Sequence, residues 1–409
     1  MITLLAFAIT LLVAGLLSGR AKRTALSTNV LFLVAGFLLG NGGLRLIALR
    51  PDYPLLRTVA ELALFSVLFS DGMRSPLREF RPIWHLPGRA LLLGLPLILT
   101  GTALVAHVVA GLSWLDALLM GAVLSPTDPV FAEAIVTRKD VPRRLRGLLN
   151  IESGMNDGLA LPFVLLFLAY LQSTEPDLLK LLAEVVSGIL LGVALPWIVL
   201  QVEALPIFTL VDVFRVLNAV AIGLILLALS KLLHANEFLA AFTSGIAIRT
   251  IAPAVADSFG SFGEIITELL KFAALLLFGA LLSLTFLSEI GARGYIFAIL
   301  AIALVRPMAL WIAFLGSRLP FREWAAAAWF GPKGYSSVVY AIMVLQTGVD
   351  RAEHLFHLAA IVIVGSIVVD SSTDVLVARW VRRTTRVPAD MIDEGHQPGN
   401  QFTKTDHTA

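Results

Sequence analysis

The sequence predicts an all-α polytopic membrane protein with about thirteen transmembrane helices, and three observations carry that expectation. Hydrophobic residues make up 58% of the 409 and charged residues only 15%, with a mean hydropathy of +0.86. A soluble chain of this length needs more surface charge. Apolar windows of roughly 20 residues, the length that spans hydrocarbon as a helix, recur along the chain. Short charged or Pro/Gly-containing loops separate them, none long enough to fold as a soluble domain. The absence of cysteine excludes disulfides and thiolate chemistry. The net charge of +2 arises from basic residues scattered through short loops, which predicts no nucleic-acid partner.

The spans follow in order. Residues 2–19 lack a basic n-region and a small-residue cleavage site, and Arg20, Lys22 and Arg23 follow them. They read as a retained span with its N-terminus outside. Apolar windows continue at 25–40, 55–73, 88–111, 114–136, 149–171, 178–202, 212–233, 236–252, 264–288, 294–316, 322–346 and 354–380. The polar, Pro/Gly-containing tail from 387 to 409 reads as disordered. Roughly 20 Lys and Arg fall on the side that holds the 20–23, 74–89 and 138–146 clusters and the Arg379–Arg386 run, against about 7 opposite. That side is therefore cytoplasmic, with the external loop bearing Arg45, Arg50 and Arg57 as the one dissent.

Two spans are interrupted. Ser125-Pro126-Thr127-Asp128-Pro129 breaks the fifth, because its prolines lack N–H groups and free the carbonyls of Ala122 and Ser125. Gly331-Pro332-Lys333-Gly334 breaks the twelfth. Each lies in the middle helix of a triplet (88–171 and 294–380), and the span count gives the triplets opposite orientation. Matched broken helices in inverted halves mark a binding site near the membrane midplane.

A carboxylate at membrane depth costs about 3 kcal/mol on insertion scales, so intramembrane acids read as functional. Freed carbonyls with the Thr127 hydroxyl and Asp128 carboxylate make an oxygen cluster suited to a hard cation such as Na⁺. A kink satisfied by neighbouring helices is the bland reading of the prolines, and the adjoining acid speaks against it. In the next span Ser153 and Asp157 are i, i+4 and share a face, assigned to the ion, while Glu152 and Asn156 form the adjacent row, assigned to scaffolding. Glu152 needs a cation, and Arg306 in the apolar run 300–315 is the candidate for a permanent structural pair.

Other polar residues take plainer readings. Glu268 and Lys271 are i, i+3 and are expected to pair and snorkel. His107 reads as a satisfied core histidine, and Lys333 as neutralising the carbonyl ends of its broken helix. Asp370 and Asp374 are expected to be solvated near a helix end. Asp71 either faces the cytoplasmic approach to the site or caps a helix.

Ser125-Pro-Thr-Asp-Pro129 followed by Glu152-Ser-Gly-Met-Asn-Asp-Gly158 resembles the monovalent cation/proton antiporter superfamily, in its NhaP-type sodium/proton exchanger branch. Arg306-Pro307, Gly331-Pro-Lys-Gly334 and Phe238-Leu-Ala-Ala-Phe-Thr-Ser-Gly245 also look like that family, and the resemblance covers about 70 to 380. It implies a homodimer, with scaffold and dimerisation helices at 1–86 and 173–292 and a transport core at 87–172 and 293–386. It implies cation binding at Asp157 helped by Ser153, Thr127 and Asp128, a structural Glu152–Arg306 pair, and Asp71 in a cytoplasmic funnel. Lys333 stands where arginine is commoner.

The expected function is therefore Na⁺/H⁺ antiport rather than enzymatic catalysis, with no cofactor beyond the transported ions. Asp157 takes either a proton or a dehydrated cation. Asn156 adds no second proton site, which predicts one-for-one electroneutral exchange. A K⁺/H⁺ antiporter is the nearest alternative, because both ions take oxygen ligands. A cation channel is a further alternative. So is an intramembrane aspartyl protease, although the Gly-x-Gly-Asp context is absent and a proline flanks Asp128.

Overall fold

The computed structural model describes residues 2–21, 28–47, 49–74, 85–128, 141–173, 175–203, 205–207 and 212–382. Expectations for Pro129, the second half of the 114–136 span, most of the basic loop clusters and the 387–409 tail lie outside them. The described residues form helices and no strand.

Three helices open the chain: α1 (Ile2–Ala21), α2 (Thr28–Leu39) and α3 (Pro54–Arg74). The first triplet is α4 (His85–Val108), α5 (Trp114–Val123) and α6 (Arg143–Gln172). Next come α7 (Leu178–Glu203), α8 (Asp212–Leu232), α9 (Glu237–Ile251), α10 (Pro253–Leu281) and the short α11 (Leu284–Glu289). The second triplet is α12 (Gly291–Ala313), α13 (Phe321–Trp329) with α14 (Tyr335–Gln346), and α15 (Ala352–Arg382).

The pattern of polarity is that of a membrane protein. Leu4, Leu12, Leu16, Leu92, Trp197, Leu224, Ile299 and Trp311 are exposed, while Asp128, Glu152, Asp157, Lys271, Arg306, Lys333 and Asp370 are buried. Among the described residues, α4, α6, α7, α12 and residues 352–373 of α15 are each long and apolar enough to cross alone. The helices α3 and α10 carry more charge. In α3 it is Arg57, Glu61, Asp71 and Arg74, and in α10 Asp257, Glu264, Glu268 and Lys271. Some of that charge turns out to face the site.

The boundary between the ninth and tenth spans differs most from expectation. Residues 253–263, expected to lie between spans, are the first turns of α10. Pro253 starts that helix, where its missing N–H leaves no bond unmade. The chain bends by 117° between α9 and α10, and Arg249 pairs with Asp257 across the bend. A helix end of this kind can be polar, which is why an apolar window misses it.

The helices pack in two sets. One is α2, α3 and α7–α10, in which α3 and α7 lie against α9, and α10 against α2 and α3. The other is the two triplets, in which α4 lies against α5 and α12, and α14 against α15. The sets meet where α3 and α10 touch α14 and α3 touches α6. Phe272 of α10 stacks on Phe32 of α2 with centroids 4.5 Å apart. The triplets repeat each other in inverted orientation. Each begins with a helix containing a π-helical turn, Ala90–Gly94 and Ala301–Val305, and each has a broken middle helix. Residues 126–128 and 330–334 are non-helical.

Candidate ion-binding site

The two broken segments cross in contact. The Asp128 amide donates to the Pro332 carbonyl at 3.0 Å. A Cβ on Gly334 would lie 2.1 Å from the Asp128 Cβ, so only glycine permits the crossing. A Cβ on Gly331 would collide with the Arg306 side chain in the same way, at 2.2 Å. Of the two carbonyls expected to be freed by proline, that of Ala122 is not free. It accepts from the Ser125 hydroxyl at 3.0 Å and from the Ser125 amide. A short polar side chain two residues past the helix end can fold back to the backbone, which spacing alone does not reveal.

Around this crossing, α6 ties the first break in place. Ser153 Oγ donates to the Thr127 carbonyl at 2.6 Å, and Asn156 Nδ2 donates to Thr127 Oγ1 at 2.8 Å and to its carbonyl at 3.3 Å. The buried Asn156 Oδ1 has no hydrogen-bond donor. Asp157 lies one helical turn from Ser153. Its Oδ2 accepts from Ser336 Oγ at 2.6 Å, and its backbone carbonyl accepts from Tyr340 OH at 2.9 Å. Ser336 is in the first turn of α14, where unpaired amides favour an anion. Thr127, Asp128, Ser153, Asn156 and Asp157 are all at least nine-tenths buried.

The cations are distributed unevenly over the buried acids. Arg306 grips Glu152 with both terminal nitrogens, at 2.7 and 3.0 Å, and its Nε donates to the Ala327 carbonyl at 3.2 Å. This bidentate pair fastens α6 to α12 and to α13. Lys271 approaches Asp128 at 3.6 Å and lies 4.6 Å above the Tyr335 ring, whose hydroxyl donates to Asn29 Oδ1 on α2. Asp157 differs: among the described residues no Lys or Arg lies within 4.0 Å of it. The charges that act on it are those of Asp71 and Asp128 and, more weakly, that of Lys271.

Two expectations are corrected here. Lys271 does not snorkel beside Glu268, since it is only 7% exposed and turned to Asp128, while Glu268 is exposed. Helical spacing allowed the local pair, but a desolvated carboxylate 143 positions away competes better for a buried ammonium. Asp370 is not solvated, being 3% exposed, and the charges of Lys333 and Arg306 act on it. The Asp374 side chain lies outside the described residues.

The remaining candidates fall as follows. Asp71 is half-buried in the last turn of α3, within reach of the charges of Lys271, Arg74 and Asp128. Lys333 is buried, and its amide donates to Ser366 Oγ at 2.9 Å. His107 bonds the Leu112 carbonyl at 2.7 Å and stacks on Trp114, so it is satisfied as expected, but it is half-buried beside an exposed tryptophan rather than in the core. Sequence reasoning missed Ser336, Tyr340, Tyr335 and Asn29. The first of these follows the second break by two residues, the position from which a helix N-terminus reaches into a site, and that spacing was a usable signal.

Comparison with known proteins gives consistent results. The family model described as "Sodium/hydrogen exchanger, transmembrane" matches residues 8–380. The chain is 26% identical over 382 residues to the K(+)/H(+) antiporter NhaP2 of Shewanella baltica, covering 90% of this chain and 65% of that one. It is 26% identical over 379 residues to the K(+)/H(+) antiporter NhaP of Alkalimonas amylolytica, covering 91% and 65%. The chain thus spans about 65% of the length of these curated relatives. In fold it is similar to the sodium proton antiporter MjNhaP1 from Methanocaldococcus jannaschii, with a TM-score of 0.77 at 18% identity, covering 93% of this chain and all of that one.

Proposed function

Because the chain belongs to the transmembrane sodium/hydrogen exchanger family, we propose that it is a secondary antiporter in which one monovalent cation and one proton compete for Asp157. The observation that carries this reading is the imbalance of buried charge. Asp128 has Lys271 and Glu152 has Arg306, whereas Asp157 has hydroxyl and amide groups and no cationic partner within 4.0 Å among the described residues. A buried carboxylate left in that state is stabilised by whatever positive species can reach it. A proton and a dehydrated cation both qualify, and each excludes the other.

The residues divide the work accordingly. Asp157 supplies the charge. The Ser153 and Thr127 oxygens and the unpartnered Asn156 Oδ1 supply neutral ligands of the kind a hard cation takes. Asp128, compensated by Lys271, holds the crossing rather than the ion. Glu152 and Arg306 keep α6 and α12 together. Asp71 lies on the approach, where its charge draws cations inward. Neutralised Asp157 permits the triplets to move past the other helices, and uncompensated Asp157 does not. Asn156 adds no further charge, so exchange is one for one and electroneutral.

The moving core is α4–α6 with α12–α15, and the scaffold is α1–α3 with α7–α10, which also forms the homodimer face. Loop charge supports an external N-terminus and a cytoplasmic C-terminus in the inner or plasma membrane. Na⁺ is the cation in the main reading. K⁺ is the second, favoured by the names of the Shewanella and Alkalimonas relatives.

Isotopic Na⁺ and K⁺ uptake into proteoliposomes, driven by a pH gradient with the membrane potential clamped at either sign, tests the reading. Saturable uptake at a rate independent of the sign is expected, and the faster isotope identifies the cation. Uptake that follows the potential overturns one-for-one exchange, and single-channel conductance overturns antiport.

A further inference from the structure

Asp157 is held from α14 at two points. Ser336 Oγ donates to its Oδ2 at 2.6 Å, and Tyr340 OH donates to its backbone carbonyl at 2.9 Å. The two donors are i, i+4 and so share one face of α14. Ser336 is 1% exposed and Tyr340 0%, so both bonds are shielded from water. Among the described residues, Ser336 supplies the only hydrogen bond to the Asp157 carboxylate, and Oδ1 accepts none.

This brace falls where α6 is weakest. Pro162 lies inside that helix, just beyond Asp157. It has no N–H, so the Gly158 carbonyl loses its intrahelical donor, and the proline ring crowds the same carbonyl. A helix loosened there fixes the direction of the Asp157 side chain poorly through its own backbone. The Tyr340 bond ties the neighbouring carbonyl to α14, and the Ser336 bond stops the carboxylate from rotating. Ser336 can reach it because α14 starts after Gly334, where the two broken segments cross.

We propose that Ser336 and Tyr340 are positioning residues for exchange, holding Asp157 so that Oδ2 is anchored and Oδ1 is left for the cation or the proton. The inference rests on the reading of Asp157 as the exchange site. A carboxylate free to rotate must be ordered each time a cation binds, whereas an anchored one is ordered beforehand. Anchoring therefore raises affinity for the ion without altering how the loaded core moves. The first triplet supplies α6 and the second α14, so the brace travels with the core and serves the site on either side of the membrane.

Initial rates of pH-gradient-driven Na⁺ or K⁺ uptake into proteoliposomes, measured against cation concentration, separate KM from the maximal rate. Ser336→Ala should raise KM about tenfold, the scale of one hydrogen bond to a charged group, with a maximal rate within about twofold of wild type. Tyr340→Phe should raise KM about threefold, since it loses a bond to a neutral carbonyl. Ser336→Thr keeps the hydroxyl and should return KM to near the wild-type value. An unchanged KM in either Ser336→Ala or Tyr340→Phe overturns the proposal, and so does a threonine variant no better than alanine. A lower maximal rate at unchanged KM also overturns it, because α14 then plays a purely structural part. Should Ser336→Ala yield no folded protein, Tyr340→Phe decides alone. Asp157→Asn, measured alongside, keeps the two readings apart. Uptake as fast as wild type in that variant overturns the exchange-site reading, whereas lost uptake there with unchanged KM in the α14 variants overturns the positioning role alone.

Discussion

At Lys271 a single ammonium joins three elements: it faces Asp128 of the first break, covers the Tyr335 ring of α14, and belongs to α10. Both members of the Lys271–Asp128 pair are about nine-tenths buried, so removing one takes the opposite charge away from the other. Breaking a buried pair costs about 3–5 kcal/mol, whereas replacing both members costs far less. Lys271→Met should therefore lower the melting temperature of the purified protein strongly, and Lys271→Met/Asp128→Asn should recover most of the loss. Equal losses in the two variants would mean that the pair does not act as a unit. The same reasoning separates Asp157 from Asp128 and Glu152: its carboxylate is held by a hydroxyl, which compensates no charge.

At the scale of the element, the crossing of the two broken segments is the feature most sensitive to a single atom. Gly334→Ala puts a methyl group 2.1 Å from the Asp128 Cβ, and backbone must move to admit it. Expected is at least a tenfold loss of cation affinity, about 1.4 kcal/mol, with helix content by circular dichroism unchanged. An alanine variant that binds as wild type does would show that the crossing has slack the packing does not suggest. Both breaks were legible in the sequence, because proline and glycine inside an apolar window announce themselves. The i, i+4 logic set Ser153 and Asp157 apart from Glu152 and Asn156, yet Asn156 bonds Thr127 beside Ser153, because adjacent rows of one helix reach the same segment. What was not legible joins distant elements. Lys271 was read with Glu268 because only local partners are visible from spacing. Asp370 was read as solvated because burial at a helix end depends on what packs over it, and Ser336 and Tyr340 carry no charge to attract notice. The start of α10 was missed for a related reason: its polar first turns lie at a bend and do not register as apolar.

Over the whole molecule, polarity is arranged opposite to that of a soluble protein, with leucine and tryptophan outside and a charged cluster within. The two helix sets touch chiefly through α3, α6, α10 and α14, so Asp71, Asp157 and Lys271 belong to elements at that boundary, and Asp128 reaches it through Lys271. In the proposed mechanism, movement of the triplets past the other helices changes the surroundings of Asp157 directly, which would couple occupancy to access without a separate gate. The account stands on one carboxylate that holds either a proton or a cation. Its most direct test is the number of protons released when cation is added to purified protein in weakly buffered detergent solution. One proton released per cation bound, and neither release nor binding in Asp157→Asn, is the predicted result. Cation binding without proton release, or release that persists in Asp157→Asn, contradicts it.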